Sequence, residues 1–213
     1  MKKKVDQPKI PHILTPMKFQ DIYNQEDLYL NNCLLSHDII EGVNINKLEF
    51  SQVVFKNIVF NDVSFENIEL TDVVFENCDL SNANFMGGNL HRVEFKESKL
   101  LGLNLSEAGL GNVSFENCIM NLSSYSYSSL KKVRFVTCSL KNVDYNECKF
   151  NNIELLECDI NEVNFYGTPL RNIDLSDSTF ENIYVSLEDL EGCIVSSEQA
   201  IGFASMLGLK VKG

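Results

Sequence analysis

From position 30 to position 195, every fifth residue of this chain is apolar. The series runs Leu30, Leu35, Ile40, Ile45, Phe50 and on to Phe180, Val185, Leu190 and Val195, without an exception in 34 positions, although only 44% of the chain is hydrophobic. Helices repeat their apolar positions at three or four residues and strands at two, so a period of five belongs to neither element alone. Such regularity means one small unit copied along the chain.

The stretch VVFENCDLSNANF, residues 73–85, shows what the unit contains. Two residues before each centre stands a small or β-branched residue, as at Val53, Ile58, Val63, Ile68, Val73, Cys78 and Ala83. That spacing puts both side chains on one face of an extended segment. Two residues after the centre stand Asn57, Asp62, Asn67, Asp72, Asn77, Asn82 and Gly87, types that tolerate tight-turn dihedrals. Each pentad is therefore a short side followed by a corner. A chain that turns the same way at every corner coils around its own apolar side chains, and the coils stack.

Units such as VVFEN, CDLSN and ANF resemble the pentapeptide-repeat family, and the resemblance covers residues 30–195. It implies an all-β fold, a right-handed quadrilateral β-helix with four pentads per coil. At that count 34 pentads make about eight and a half coils, a rod on the order of 40 Å long. The phase never breaks, so an inserted loop would need a length divisible by five. The least regular pentads, NLSSYSYSSL at residues 121–130, place Ser123 and Ser128 where Val is usual and read as a weakly packed coil or a hidden loop. Pro169, one residue before a centre, removes a backbone donor from the ladder.

The ends break the pattern. Residues 1–29 hold three of the four prolines and no sustained period, and read as an N-terminal cap or flexible arm. Residues 196–213 read as a helix, with Ser196 and Gln199 at capping-box spacing and Gly208 as a stop. Its apolar side chains Ala200, Ile201, Phe203, Ala204, Met206 and Leu207 surround it almost completely. One side can close the last coil and the other needs a partner, so a homodimer through residues 196–213 is expected.

Chemistry offers little to an enzyme. All seven cysteines, Cys33, Cys78, Cys118, Cys138, Cys148, Cys158 and Cys193, fall in the small inward slot, and no CxxC pair exists. They read as buried thiols in a reducing compartment, though the stacked Cys118, Cys138 and Cys158 also leave a soft-metal column conceivable. His12, His37 and His91 are isolated, and no metal-binding HExxH or GxSxG nucleophile elbow occurs. Gly87 and Gly88 lack the remainder of a phosphate loop and suit a corner instead. No catalytic residue, cofactor or metal is expected. No signal peptide or membrane span is apparent, which points to a cytoplasmic protein with no membrane partner.

Charge is the informative feature. Eighteen basic and thirty acidic residues leave a net charge of −12, which disfavours direct nucleic-acid binding and favours a basic protein partner. Residues 141–191 hold twelve acidic and three basic residues, next to the expected dimer helix, whereas residues 84–140 hold four acidic and six basic. With four pentads per coil, Glu154, Glu157, Asp174 and Asp177 share one face, and Asp159 and Glu162 lie nearby. The face centred on Leu90, Leu130, Phe150 and Leu170 instead carries Arg92, Lys131, Lys132, Lys149 and Arg171.

The ending SSEQAIGFASMLGLKV and the segment NLHRVEF are similar to the Qnr-like branch of the family. This resemblance implies a dimeric DNA mimic that binds the type II topoisomerases, DNA gyrase and topoisomerase IV, and protects them from fluoroquinolones. The outward carboxylates Glu154, Glu157, Asp159, Glu162, Asp174 and Asp177 would stand in for phosphates. The unbroken phase resembles members from Gram-positive hosts, which lack projecting loops. A repeat scaffold for some other basic protein is the alternative, and an enzyme is disfavoured because a filled coil offers no pocket.

Overall fold

The computed structural model describes residues 4–24, 27–206 and 208–211. Each coil takes twenty residues, so Leu70 pairs with Leu90, Val73 with Val93 and Phe75 with Phe95. Strands β1 (Thr15–Pro16), β2 (Tyr29–Glu41), β3 (Glu49–Asn61), β4 (Glu69–Glu76), β5 (Asn89–Lys96), β6 (Gly109–Glu116), β7 (Ser129–Val136) and β8 (Lys149–Leu156) pair in chain order as one parallel sheet. That sheet supplies two adjacent faces. Parallel bridges at the same interval, such as Asn84↔Asn104 and Lys99↔Ile119, join the other two. The result is an all-β solenoid with the four sides that the family resemblance implies.

We number the faces by their centres: face 1 contains Leu30 and Leu90, face 2 Leu35 and Phe95, face 3 Ile40 and Leu100, and face 4 Ile45 and Leu105. Corners fall two residues after each centre. From Asn32 to Asn172 the non-glycine residues at these positions have φ between 49° and 64°, the left-handed region. Asn and Asp suit it, whereas Leu122, Tyr127 and the β-branched Thr137 adopt it at a cost.

Identical registers stack identical side chains. Phe55, Phe75, Phe95, Phe115 and Phe135 form a column with centroids 4.8, 4.8, 4.9 and 5.0 Å apart and planes within 7° of parallel. The spacing is that of the strands themselves, so the rings stack without disturbing the ladder. In the small slots, several side chains that can donate reach the carbonyl 23 residues earlier: Cys138 Sγ donates to Phe115 O, and Ser128 Oγ to Leu105 O. Residues 121–130 are accordingly neither a loop nor a loose coil. Ser123 and Ser128 are buried, Ser123 Oγ donates to Met120 O at 2.6 Å, and Tyr125 stacks on Tyr145 at 4.9 Å. Gly87 is a corner with φ +69°, and a Cβ on Gly88 would meet Ile68 Cγ2 at 2.9 Å.

The regular ladder ends at β8. One coil earlier, Lys149 N–H donates to Ser128 O at 2.9 Å; Pro169 occupies the equivalent place and has no N–H to give. Residues 169–176 form no strand, and the remaining turns are joined by isolated bridges such as Asn164↔Tyr184 and Asp174↔Ile194 and by single bonds such as Leu170 N–H to Asp189 O at 2.8 Å. Helix α1 (Ser197–Met206) then closes the end. Ser196 and Gln199 exchange the two capping-box hydrogen bonds, and Gln199 Nε2 also donates to Leu175 O and Ser178 O. Phe203 packs on Phe180 at 5.7 Å.

At the other end, a 3-10 helix (Phe19–Asn24) buries Phe19 and Ile22 over the first coils. The preceding residues lie along the corner between faces 1 and 2. Lys9 N–H donates to Asp72 Oδ1 at 2.8 Å, Gln52 Nε2 donates to Lys9 O at 3.1 Å, and Asp6 N–H donates to Asn112 Oδ1 at 3.2 Å. Lys132 pairs with the Asp6 carboxylate at 3.2 Å. Asp72 anchors this arm: burial alone would raise its pKa, but the Arg92 guanidinium fork and the Lys9 amide outweigh burial and hold it below the usual carboxylate range.

Two outcomes follow from this packing. Phe115→Ala removes one ring of a closed column and should cost about 3–5 kcal/mol in chemical denaturation, against the roughly half a kcal/mol of an ordinary surface change. Asp72→Ala removes the arm's anchor, so limited trypsin should cleave after Lys4 and Lys9 several times faster than in the wild type, while the coils stay intact.

Candidate functional site

Columns of charge follow the same register. Along face 2, Lys56, Glu76, Lys96 and Glu116 alternate in sign on successive coils, and Lys56 pairs with Glu76 at 2.6 Å. Toward the C-terminal end the alternation stops: Asp174 stands one coil beyond Glu154, and Asp177 one coil beyond Glu157. Like charges about 4.8 Å apart repel by roughly 1 kcal/mol even in water, so these columns cost stability.

The six carboxylates expected to meet a partner are not equally available. Glu154 is half-buried, with Arg134 Nε at 3.6 Å. Asp174 accepts the backbone N–H of Ser176 and its hydroxyl at 3.1 and 2.6 Å. Asp159, on face 3, pairs with Lys141 at 2.9 Å. Glu157 and Asp177 are exposed at the corner between faces 2 and 3, where Thr137 Oγ1 makes a long contact of 3.5 Å to Glu157. Glu157, Asp159 and Asp177 line one shallow groove there; Glu162, at the next corner, lines a different one with Asp144, Tyr166 and Tyr184. The cross-coil neutralisation of Glu154 and Asp159 is set by partners at 20 and 18 residues' separation, a signal visible once the coil length is known.

The basic face is also altered. Arg92 forks Asp72, Lys132 holds Asp6, and the arm crosses the corner between them. His91 sits beside Arg92 and has its pKa lowered by burial and by that guanidinium.

In α1, Ala200 and Ile201 are exposed, Ile201 to 51%, whereas Phe203 and Ala204 are half-buried against the last coil. The side chain of Met206, and Leu207 as a whole, lie outside the described residues.

All seven cysteines are free, and six are buried. Burial pushes the Cys78 thiol up to about 11 and the Cys148 thiol up to about 12. Hydrogen bonding with Cys138, followed by burial, raises Cys158. The hydrogen bond between Cys118 and Cys138 raises Cys138 and lowers Cys118, so in the column of Cys118, Cys138 and Cys158 two of the three thiols are poor ligands for a metal ion until deprotonated. Among the described residues no group of three His, Cys, Asp or Glu side chains converges as a metal site. No helix among them is long and apolar enough to cross a membrane.

The family model for the pentapeptide repeat region matches residues 27–105 and 88–165. A comparison with curated protein sequences finds no match. Among solved structures, full-length QnrB1, a plasmid-mediated fluoroquinolone resistance protein, aligns over 93% of this chain and 99% of its own at 16% identity and a TM-score of 0.48. HetL, a pentapeptide repeat protein involved in heterocyst differentiation regulation from Nostoc sp. strain PCC 7120, aligns over 79% and 90% at 15% identity and a TM-score of 0.43. At these values neither likeness carries an argument about partners.

Native alkylation checks the thiol assignment. Iodoacetamide at neutral pH should label Cys193 and leave Cys33, Cys78, Cys118, Cys138, Cys148 and Cys158 unmodified by mass spectrometry, with all seven labelled after unfolding.

Proposed function

Because the chain belongs to the pentapeptide-repeat family, we propose that it is a non-catalytic rod whose carboxylates replace DNA phosphates on the basic DNA-binding surface of the type II topoisomerases, DNA gyrase and topoisomerase IV, protecting these enzymes from fluoroquinolones in the cytoplasm. The observation that carries this reading is the corner where Glu157, Asp159 and Asp177 line one groove, with Glu157 and Asp177 stacked as like charges beside the closing helix. A column that costs stability is retained where function uses it. Carboxylates rise by about 4.8 Å per coil, against 3.4 Å per phosphate along one DNA strand, so the likeness is one of charge density rather than of matched positions. The resemblance of SSEQAIGFASMLGLKV and NLHRVEF to the Qnr-like branch supports the choice of partner.

The register runs without an inserted loop through the paired coils, so contact is made by the faces themselves. Glu154 and Asp174 contribute field more than direct contact, given their own partners. The exposed side of α1 around Ala200 and Ile201 forms the homodimer seam, with Phe203 holding the helix to the coil. Two rods joined there place their acidic ends together in a span of about 80 Å.

A gyrase supercoiling assay with ciprofloxacin tests the function: added protein should restore supercoiling, and the rescue should weaken as salt rises. If the protein neither rescues nor inhibits gyrase, the acidic corner serves a different basic protein and the chain is a scaffold. Light scattering at micromolar concentration should give the mass of a dimer, and Ile201→Glu should give a monomer.

A further inference from the structure

We propose that Tyr166 and Tyr184 on face 4, with Asp144 and Glu162 beside them, form a docking groove for arginine and lysine side chains of a basic protein surface. This inference rests on the reading of the chain as an acidic binder and assigns the part of the rod that grips. Among the described coil residues, the exposed aromatic rings are Tyr166 (60%) and Tyr184 (58%) on face 4 and Tyr127 (65%) at the corner between faces 4 and 1. The exposed Leu187 lies beside Tyr184, two residues past the face 4 centre Val185. Elsewhere on the coils the aromatic rings are turned inward or half-covered.

Charge on this face differs from that on the other three. Glu66, Glu107, Asp144 and Glu147 face outward there, Lys47 at the far end is the one cation in the outward positions, and no ion pair among the described residues reaches the face. Asp144 is held in place by Ser126 Oγ at 2.7 Å, Asn164 Nδ2 at 2.9 Å and the Asn146 N–H at 3.0 Å, all of them neutral donors. Its charge is therefore fixed in position and unneutralised. Glu162 occupies the corner between faces 3 and 4 and lines the same groove as Asp144, Tyr166 and Tyr184. A guanidinium or ammonium group over a tyrosine ring is attracted by the ring's negative face, and a carboxylate alongside adds a charge-assisted hydrogen bond. The arm covers the corner of faces 1 and 2, and α1 closes the last coil, so neither blocks face 4. A basic partner laid across face 3 would touch Glu157 and Asp177 at one edge and the tyrosines at the other. Anionic lipid and nucleic acid are repelled by the same charge.

The test compares Tyr166→Ala/Tyr184→Ala, Tyr166→Phe/Tyr184→Phe and Glu157→Gln/Asp177→Asn with the wild type, each checked by circular dichroism, in binding to gyrase and to an octa-arginine peptide. The alanine pair should lose at least tenfold in affinity for both probes, at low and moderate salt alike. The phenylalanine pair should stay within about threefold of wild type, because the ring faces are kept, and the carboxylate pair should lose affinity mainly at low salt. Wild-type affinity for both probes in the alanine pair would overturn the groove while leaving the gyrase reading intact. Binding of octa-arginine through the tyrosines, without binding of gyrase, would sustain the groove and remove gyrase as the partner. Equal losses in the alanine and phenylalanine pairs, or no binding of either probe by the wild type, would overturn the groove.

Discussion

Apart from the short turn bonds within a coil, such as Ala83 N–H to Leu80 O at 3.1 Å, the backbone of each coil finds its hydrogen-bonding partners in the coils before and after it. These N–H groups meet a carbonyl about one coil away, as Leu80 N–H meets Lys99 O at 2.7 Å and Leu100 N–H meets Ile119 O at 2.7 Å. Unpaired groups in a filled interior would cost more than the fold could recover. That requirement fixes the register, and the register converts a sequence period into columns of like side chains. Stacked phenylalanines, Asn104 Nδ2 donating to Asn84 Oδ1 at 2.9 Å, slot hydroxyls and thiols, and rows of charge are all consequences of the same ladder.

Columns help or hurt according to their chemistry. Rings and amides gain from repetition, since each finds its own kind at contact distance. Charges lose by it, and the rod meets that loss by alternating sign, as at Lys56 and Glu76, or by a cross-coil partner, as at Lys141 and Asp159. At the corner of Glu157 and Asp177 neither remedy operates. Face 4 has unneutralised carboxylates too, beside exposed tyrosines in place of the small polar residues earlier in the same rows. These two edges border face 3, which makes the C-terminal half of the rod the chemically distinctive part.

Much of the architecture was legible in the sequence, because the centre, the slot and the corner each leave a residue-type signature at fixed spacing. Phe115 in the centre, Cys138 in the slot and Asn117 at the corner could all be placed without coordinates. The course of the arm could not. Apart from the Asp6–Lys132 ion pair, it is held through its own backbone, to Asp72, Asn112 and Gln52, and a backbone group is the same whatever the residue, so little in residues 4–14 signals the destination. Ser123 and Ser128 misled for a different reason: a hydroxyl in an apolar slot looks unfavourable until its acceptor is seen, Met120 O three residues back for Ser123 and Leu105 O 23 residues back for Ser128. For the site, the acidic excess of residues 141–191 was plain, but which carboxylates remain unpaired depended on neighbours one coil away. The tyrosines were hidden among residues outside the period.

The twenty-residue coil can be measured directly by pulsed electron paramagnetic resonance. Nitroxide labels at Asp62 and Glu162, introduced as cysteines with the accessible Cys193 replaced by Ser, sit in the same corner row five coils apart. The account predicts one narrow distance distribution with a backbone separation of about 24 Å, five times the strand spacing. A broad distribution, or a separation beyond about 35 Å, would mean that a hundred residues do not advance the rod by five stacked coils, and would contradict the register on which the columns, the acidic corner and the tyrosine face depend.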